Sequence, residues 1–498
     1  MGPMGTMTFQ LPAELTADAA RELDRACLAG GPDNMPWPTQ RRSSPGQLGL
    51  SRSMDESGYL VAPWTIDGAG QLMGTSATLM ERTRPYDLLI ELARGKVNQV
   101  RCQASEWRTG GLLVSAALEQ HIQEASRAFG QAVTRPPTEE ASCQAQKALE
   151  LAYVAADHLV EAYVEQVFQI RHQRQPQLDT PLRCRLGRRP PPHADALRAA
   201  FTGVRVPLGW STIEADETIY RWEEADALVE WGVRQGADVS AGPLIDFSSA
   251  QLPAWLWLWE RDLPSLATFM CRYVDAVVRR YRNRIRRWQL TAASNWATVL
   301  NLGEDELLGL TYRLTETARQ VDPSLELTIG LAQPWGEYMT LTDRNHSPFI
   351  FADQLIRSGL SLTALDVEIV MGVTHRGSYC RDRLELSRLL DLYALLGVPL
   401  HVTLGYPASD RPDSEADPEM AVGFGRYHGG FSPEVQSEWA DRFGALALCK
   451  PYVQAVTWVQ SSDAEPHQWP HCGLLDAAGQ PSRGALEKLR ALRQAHLH

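Results

Sequence analysis

From residue 195 onward, short apolar runs alternate with amphipathic stretches. FTGVRVPLGW, ADVSAGPLIDF, LELTIGLAQPW, TALDVEIVMG and PLHVTLGYP read as strands, while LATFMCRYVDAVVRRY, DELLGLTYRLTETARQ and RLELSRLLDLYALLG repeat apolar positions at three- and four-residue spacing and read as helices. Counted as strand-then-helix units closed by a final strand and the helix ALEKLRALRQ, this half holds eight parallel strands, the number that closes a (β/α)8 TIM barrel. An open doubly wound sheet would place a Gly-rich phosphate turn after its first strand, and VRVPLGWSTIE has none.

The first 180 residues have another texture. YLVAPWTI, DGAG and QLMGTSATLMER alternate around turn residues and predict a small antiparallel sheet; residues 91–133 predict helix, broken at Gly110-Gly111. After TRPPTEE, Leu149, Tyr153, Ala156, Val160, Tyr163, Val167 and Ile170 mark one face of a long helix near 139–172. That stripe is expected to pack on the sheet or on a partner subunit, which leaves a homo-oligomer through the N-terminal helices open. RHQRQPQLDTPLRCRLGRRPPPH has no sustained period and reads as a linker. The expected division is an α+β unit over 1–180, a Pro/Arg-rich linker over 181–194 and the α/β barrel over 195–498.

At 498 residues the chain exceeds one ordinary domain, in keeping with this division. A hydrophobic fraction of 44% with 22% charged residues excludes disorder as the main state. No run approaches the ~18 apolar residues of a membrane span, and MGPMGTMTFQLPAEL lacks a basic start followed by an apolar run. The net charge of −12 opposes loose binding to nucleic acid or anionic membrane. RRYRNRIRR falls at a helix C-terminus, where cations answer the dipole, so neither nucleic acid nor membrane is expected as a partner. Eight cysteines lie singly with no C-x-x-C pattern, as expected of free thiols in a reducing compartment, and the expected location is cytoplasmic. His467, His471 and Cys472 in PHQWPHC form the densest metal-like group, but Pro466 and Pro470 oppose the helix that would align the histidines. They read as loop residues, and no metal or cofactor is expected.

Five segments, in order, resemble the family 10 glycoside hydrolases, the xylanase-type barrels. IYRWEEADALVEWGVRQGADVSAGPLIDFSSAQLPAWL is similar to that family's second and third units, RRYRNRIRRWQL to its approach to strand four, and LGEDELLGLTYRLTETARQVDPSLEL to its next helix. GVPLHVTL resembles its seventh strand, and AVTWVQSSD with GLLDAAGQPSRGAL its close. The resemblance covers residues 195 to 495 and implies a barrel that meets β-1,4-linked glycans. Catalysis in the family rests on two glutamates, an acid/base in "W-D-V-V-N-E" and a nucleophile in "I-T-E". Matched residue by residue, WQLTAA puts Ala293 at the first and HVTL puts Leu404 at the second, while Gly242-Pro243 and Phe247-Ser248 stand where the family has "G-H" and "W-H".

A retaining glycosidase needs two carboxyls about 5 to 5.5 Å apart, one protonated and one ionised. Alternation in TALDVEIVMG aims Asp366 and Glu368 into the barrel, and Asp246, Glu337 and Asp463 follow other strands on the face where such barrels hold ligands. Arg205 faces inward by the same rule and either pairs with Asp366 or Glu368 as barrel filling or meets substrate. Trp210, Asn295, Gln333, Trp335 and Trp458 are the other candidate substrate contacts, with Trp458 the first choice for stacking on a sugar ring. Trp255, Trp257 and Trp259 read as packing on a helix. Two functions follow: a carbohydrate-binding or scaffolding protein on a barrel without its family's catalysis, or an active glycoside hydrolase of O-glycosyl bonds with relocated carboxylates.

Overall fold

The computed structural model describes residues 5–136, 138–297, 299–340, 344–480 and 484–498. Eight parallel strands close on themselves: β1 (Leu182–Arg185), β2 (Gly203–Val206), β3 (Asp238–Ala241), β4 (Arg287–Ala292), β5 (Glu326–Leu331), β6 (Ala364–Val370), β7 (Leu400–Gly405) and β8 (Val453–Trp458). Each pairs with its successor, and β8 returns to β1 through Val456↔Leu182 and Trp458↔Cys184. Helices follow the strands, from Ala194–Ala200 after β1 to Gly484–His496 after β8. Val204, Val206, Leu365, Val367 and Ile369 are buried in the core shared with these helices, as strands covered on the outer face require. The (β/α)8 barrel is therefore the fold of this region.

Its start is earlier than expected. LRCR, inside the stretch 181–194 read as a linker, is β1, and FTGVRVPLGW is the second strand. The reading failed because the strand is short and alternates arginine, not a hydrophobe, with its apolar positions.

The N-terminal region holds a four-stranded sheet built on Thr6–Gln10, a five-stranded sheet built on Tyr59–Ile66, a short helix Ala17–Glu22, and three long helices, α1 (Leu88–Thr109), α2 (Ala116–Val133) and α3 (Glu139–Arg174). α1 lies so close to the sheet that a Cβ on Gly95 would meet the Thr75 carbonyl oxygen at 1.9 Å, so glycine is required there. α3 begins at Thr138, whose hydroxyl accepts from the Ala141 N–H. Glu139 and Glu140 in the first turn and Arg171, His172 and Arg174 in the last answer the helix dipole. Leu149, Tyr153, Ala156 and Val160 are buried within the chain. α3 packs on α1 and α2 and on two barrel helices, α4 (Arg383–Ala394) and α5 (Pro433–Cys449). Asp157 of α3 accepts from Arg383 Nε at 2.7 Å and Arg442 Nη1 at 2.8 Å, tying both barrel helices to it.

The expectation of a separate unit over 1–180 also needs correction. The five-stranded sheet takes its edge strand, Arg426–Tyr427, from the loop after β7, and the Met73 N–H donates to the Cys380 carbonyl at 2.9 Å. Backbone pairing thus continues from one region into the other. All eight cysteines are free. Among the described residues no helix is long and apolar enough to cross a membrane.

Candidate ligand site at the barrel mouth

Inside the barrel, inward side chains are charged and sorted into layers. At the strand starts, Asp238 accepts from Arg183 Nε at 2.6 Å and pairs with Arg287, whose Nε reaches Glu326 at 2.8 Å. One layer up, Arg205 lies 2.7 Å from Asp366 and donates to Gln289 at 2.9 Å and Thr403 at 3.1 Å. Burial alone would push the Asp366 carboxyl up, but Arg205, His401 and the Thr403 hydroxyl outweigh it and hold it below its ordinary value. Burial, with Arg183 beside it, drives His401 down to about 3, so its imidazole is neutral.

The top layer closes the axis. Arg376, on the loop after β6, places Nη1 2.6 Å from Asp246 and its Nε and Nη2 at 2.9 and 3.0 Å from Glu368. Burial pushes the Glu368 carboxyl up and Arg376 offsets this in part. Burial also opposes the charge on Arg376, and the two carboxylates more than restore it. One guanidinium therefore occupies both carboxyls that a relocated mechanism would use.

Beside this plug, a cavity of about 820 Å³ opens between the loops that follow β1, β2, β7 and β8. Arg185 at the end of β1, Asp417 after β7, and Gln468 and Trp469 after β8 form part of its wall. The Arg376 guanidinium sits 5.7 Å from the Trp469 ring centroid, so plug and cavity share a wall. Gln468 Nε2, Trp469 Nε1 and Asp417 Oδ2 are buried with no hydrogen-bond partner among the described residues. Burial raises the Asp417 carboxyl, although the Glu419 N–H opposes the shift. A concave wall with a few convergent donors and an acceptor suits a small hydroxylated ligand.

The structure brings together some of the expected residues. Arg205 meets Asp366, as the barrel-filling alternative required, and Asp246 meets Glu368 across Arg376. Glu337 is bound by Arg381 and the Tyr379 N–H, and Asp463 by Gln460 and the Gly473 N–H. Asn295 bridges to both backbone groups of Ala332, and Gln333 Nε2 donates to the carbonyls of His375 and Gly377. Both amides brace loops. Ala293 and Leu404 are buried.

The three tryptophans expected to offer a face to a sugar ring are buried. Trp210 is fully buried, donating to Glu214 at 2.8 Å and stacked on Tyr273. Trp335 is buried beneath Arg381. Trp458 is 1% exposed, donates to the Cys472 carbonyl and meets Trp439 edge-on. Stacking needs an open ring face, and these three have none. Trp255 and Trp259 do pack on Phe269, whereas Trp257 is 39% exposed. His467 pairs with Asp413 at 3.1 Å as a loop contact. Asp413, Asp463 and His471 bring ligand-type atoms within 4.8 Å of one another, a grouping spread over two loops and so invisible to spacing rules. The His467 ring and the His471 backbone N–H already satisfy Asp413 Oδ2. No periodicity marks Arg376, Asp417 or Gln468, loop side chains that reach across a mouth, and Arg185 lies in the stretch that reads as a linker.

A closed (β/α)8 barrel with a charged axis and a cavity at the strand C-termini belongs to a broad class of ligand-binding and catalytic barrels. Residues 207–330, about a quarter of the chain, match the family described as Glycosyl hydrolase family 10. Endo-1,4-beta-xylanase 3 of Hypocrea jecorina is 30% identical over 131 residues, 24% of this chain and 35% of the relative's length. The matched region thus spans about a third of that curated relative. Solved structures similar to this chain include a psychrophilic glycoside hydrolase family 10 endo-beta-1,4-xylanase, at 14% identity and a TM-score of 0.46 over 66% of this chain and 98% of the other. The family 10 structure from Paenibacillus barcinonensis has 17% identity and a TM-score of 0.46 over 64% and 96%.

Proposed function

We propose that this chain is a carbohydrate-binding protein on a family 10 glycosyl-hydrolase-type barrel, without that family's two-glutamate hydrolysis. The carrying observation is Arg376: it holds Asp246 and Glu368, the carboxyls best placed to replace the absent pair, in one buried clamp. A nucleophile and an acid need separate, independently protonated carboxyls. Ala293 and Leu404 at the matched positions support the same reading, as does the cavity beside the plug. The ligand is a β-1,4-linked glycan or a fragment of one, and the free thiols favour a cytoplasmic setting. Aryl β-xylosides and xylan should be turned over at background rate, while calorimetry with xylo-, cello- or manno-oligosaccharides should detect binding. No heat with any of these or with an acidic disaccharide, in folded protein, would remove carbohydrate as the ligand. The raised Glu368 carboxyl favours a second reading, a hydrolase using it as acid; robust turnover abolished by Glu368→Gln would establish that one instead.

A further inference from the structure

The wall of the cavity narrows the ligand further, and this step rests on the carbohydrate reading above. The other arginines of the barrel axis all meet a carboxylate: Arg183 with Asp238, Arg205 with Asp366, Arg287 with Asp238 and Glu326, and Arg376 with Asp246 and Glu368. Arg185 differs. Its Nη1 donates to Gln468 Oε1 at a long 3.4 Å, and no ion pair forms to it among the described residues. That contact leaves Gln468 Nε2 without an acceptor, and Nε1 of the next residue, Trp469, lacks one too; the two residues are 5% and 0% exposed. Buried donors without acceptors are costly, and Arg185 beside them is a part-buried cation with no carboxylate against it among the described residues. Burial lowers the affinity of Arg185 for its proton, with Asp246 pulling the other way, which is the direction of an under-compensated cation.

The opposite polarity is present once in the buried wall, at Asp417 Oδ2, which needs a donor. Glu223, Glu224 and Glu415 line the cavity too, but they are exposed, and water screens them; Glu465 is half-buried in the same lining, where the backbone N–H groups of Arg189 and Arg188 hold its carboxyl. A ligand that completes this wall carries an anionic oxygen pair for Arg185 and the two N–H groups, and a hydroxyl for Asp417. Neutral sugars supply the hydroxyl without the anion, and simple anions the reverse.

We propose that the cavity selects a sugar acid, a uronate residue of a glycan whose carboxylate is held by Arg185, Gln468 Nε2 and Trp469 Nε1 and whose hydroxyl donates to Asp417. Calorimetry on the full chain with cellobiouronate and cellobiose, which differ only in a carboxylate for a hydroxymethyl group, tests this. The uronate should bind about tenfold tighter or better, as a charge-assisted pair implies. Arg185→Gln should abolish the difference while circular dichroism stays unchanged. Trp469→Phe, which deletes only the N–H and keeps an aromatic ring, should reduce the preference several-fold and serves if Arg185→Gln does not fold. Equal binding of the two disaccharides, or a preference that survives whichever of these variants folds, overturns the sugar-acid assignment and leaves the carbohydrate reading standing. Binding of neither by folded protein overturns both.

Discussion

Arg376→Met tests whether the clamp at the barrel mouth is a structural plug. The side chain makes three hydrogen bonds to two carboxylates, and at 3% exposure it sits where water cannot take over their solvation. Deleting one partner of a buried ion pair costs about 3–5 kcal/mol, because the charge left behind is uncompensated. Here two are left, facing each other, so the upper end applies unless one takes up a proton. Glu368 is the group that does so, since its carboxyl already lies above its ordinary value of 4.5 and loses its main opposing influence. The sign of the pH effect follows. A carboxyl raised in the fold favours the folded state fully below its unfolded value, and this contribution is lost as pH rises through the folded value. The variant's deficit against wild type should therefore be largest near neutral pH and above, and shrink as pH falls towards the ordinary carboxylate value. Urea unfolding followed by circular dichroism at about pH 8 and about pH 5 reads both quantities. Adding Asp246→Asn and Glu368→Gln should recover most of the loss at the higher pH. A deficit under ~1 kcal/mol at pH 8, or one that does not change with pH, would refute the reasoning.

Trp458→Ala should lower stability by about 3–5 kcal/mol through the cavity it leaves against Trp439, and should not selectively weaken sugar binding. Thermal unfolding and calorimetry together check this, and loss of binding without loss of stability would restore the ring as a platform. Asp157→Asn weakens two arginine pairs at a residue a third exposed, so it should cost only about 1–2 kcal/mol yet raise amide exchange in Arg383–Ala394 and Pro433–Cys449. Unchanged exchange in both helices would mean that apolar packing alone docks them on α3.

The barrel was legible because its outer face obeys simple rules. In β6, Leu365, Val367 and Ile369 alternate with Asp366 and Glu368, and that pattern alone gives both the strand and the inward charges. The same rule was applicable to β1 and β8 but was not carried through. Arg183 and Arg185 have inward parity, so Cys184 faces the helices. Trp458 is in register with Cys184 and shares its parity with Val456. A strand-end position told where Trp458 was, and parity told which way it turned. What no local rule contained was Arg376, because its role depends on a loop folding back over β6 and over Asp246, which follows β3.

This layered axis also accounts for where the ligand volume lies. A barrel lined by carboxylates from β3, β5 and β6 needs cations at matching heights, and Arg183, Arg287, Arg205 and Arg376 supply them one layer after another. Because the topmost cation comes from a loop, it covers the axis as it neutralises it. The open volume at the strand C-termini therefore lies to one side, towards β1, β2 and β8, as the 820 Å³ cavity. Arg185 is the point at which, among the described residues, the alternation of charges stops without a carboxylate partner, and it stands in the wall of that cavity. The guanidinium that covers the axis thus leaves, at its edge, a cavity wall whose buried Gln468, Trp469 and Asp417 atoms have unmet hydrogen-bonding capacity.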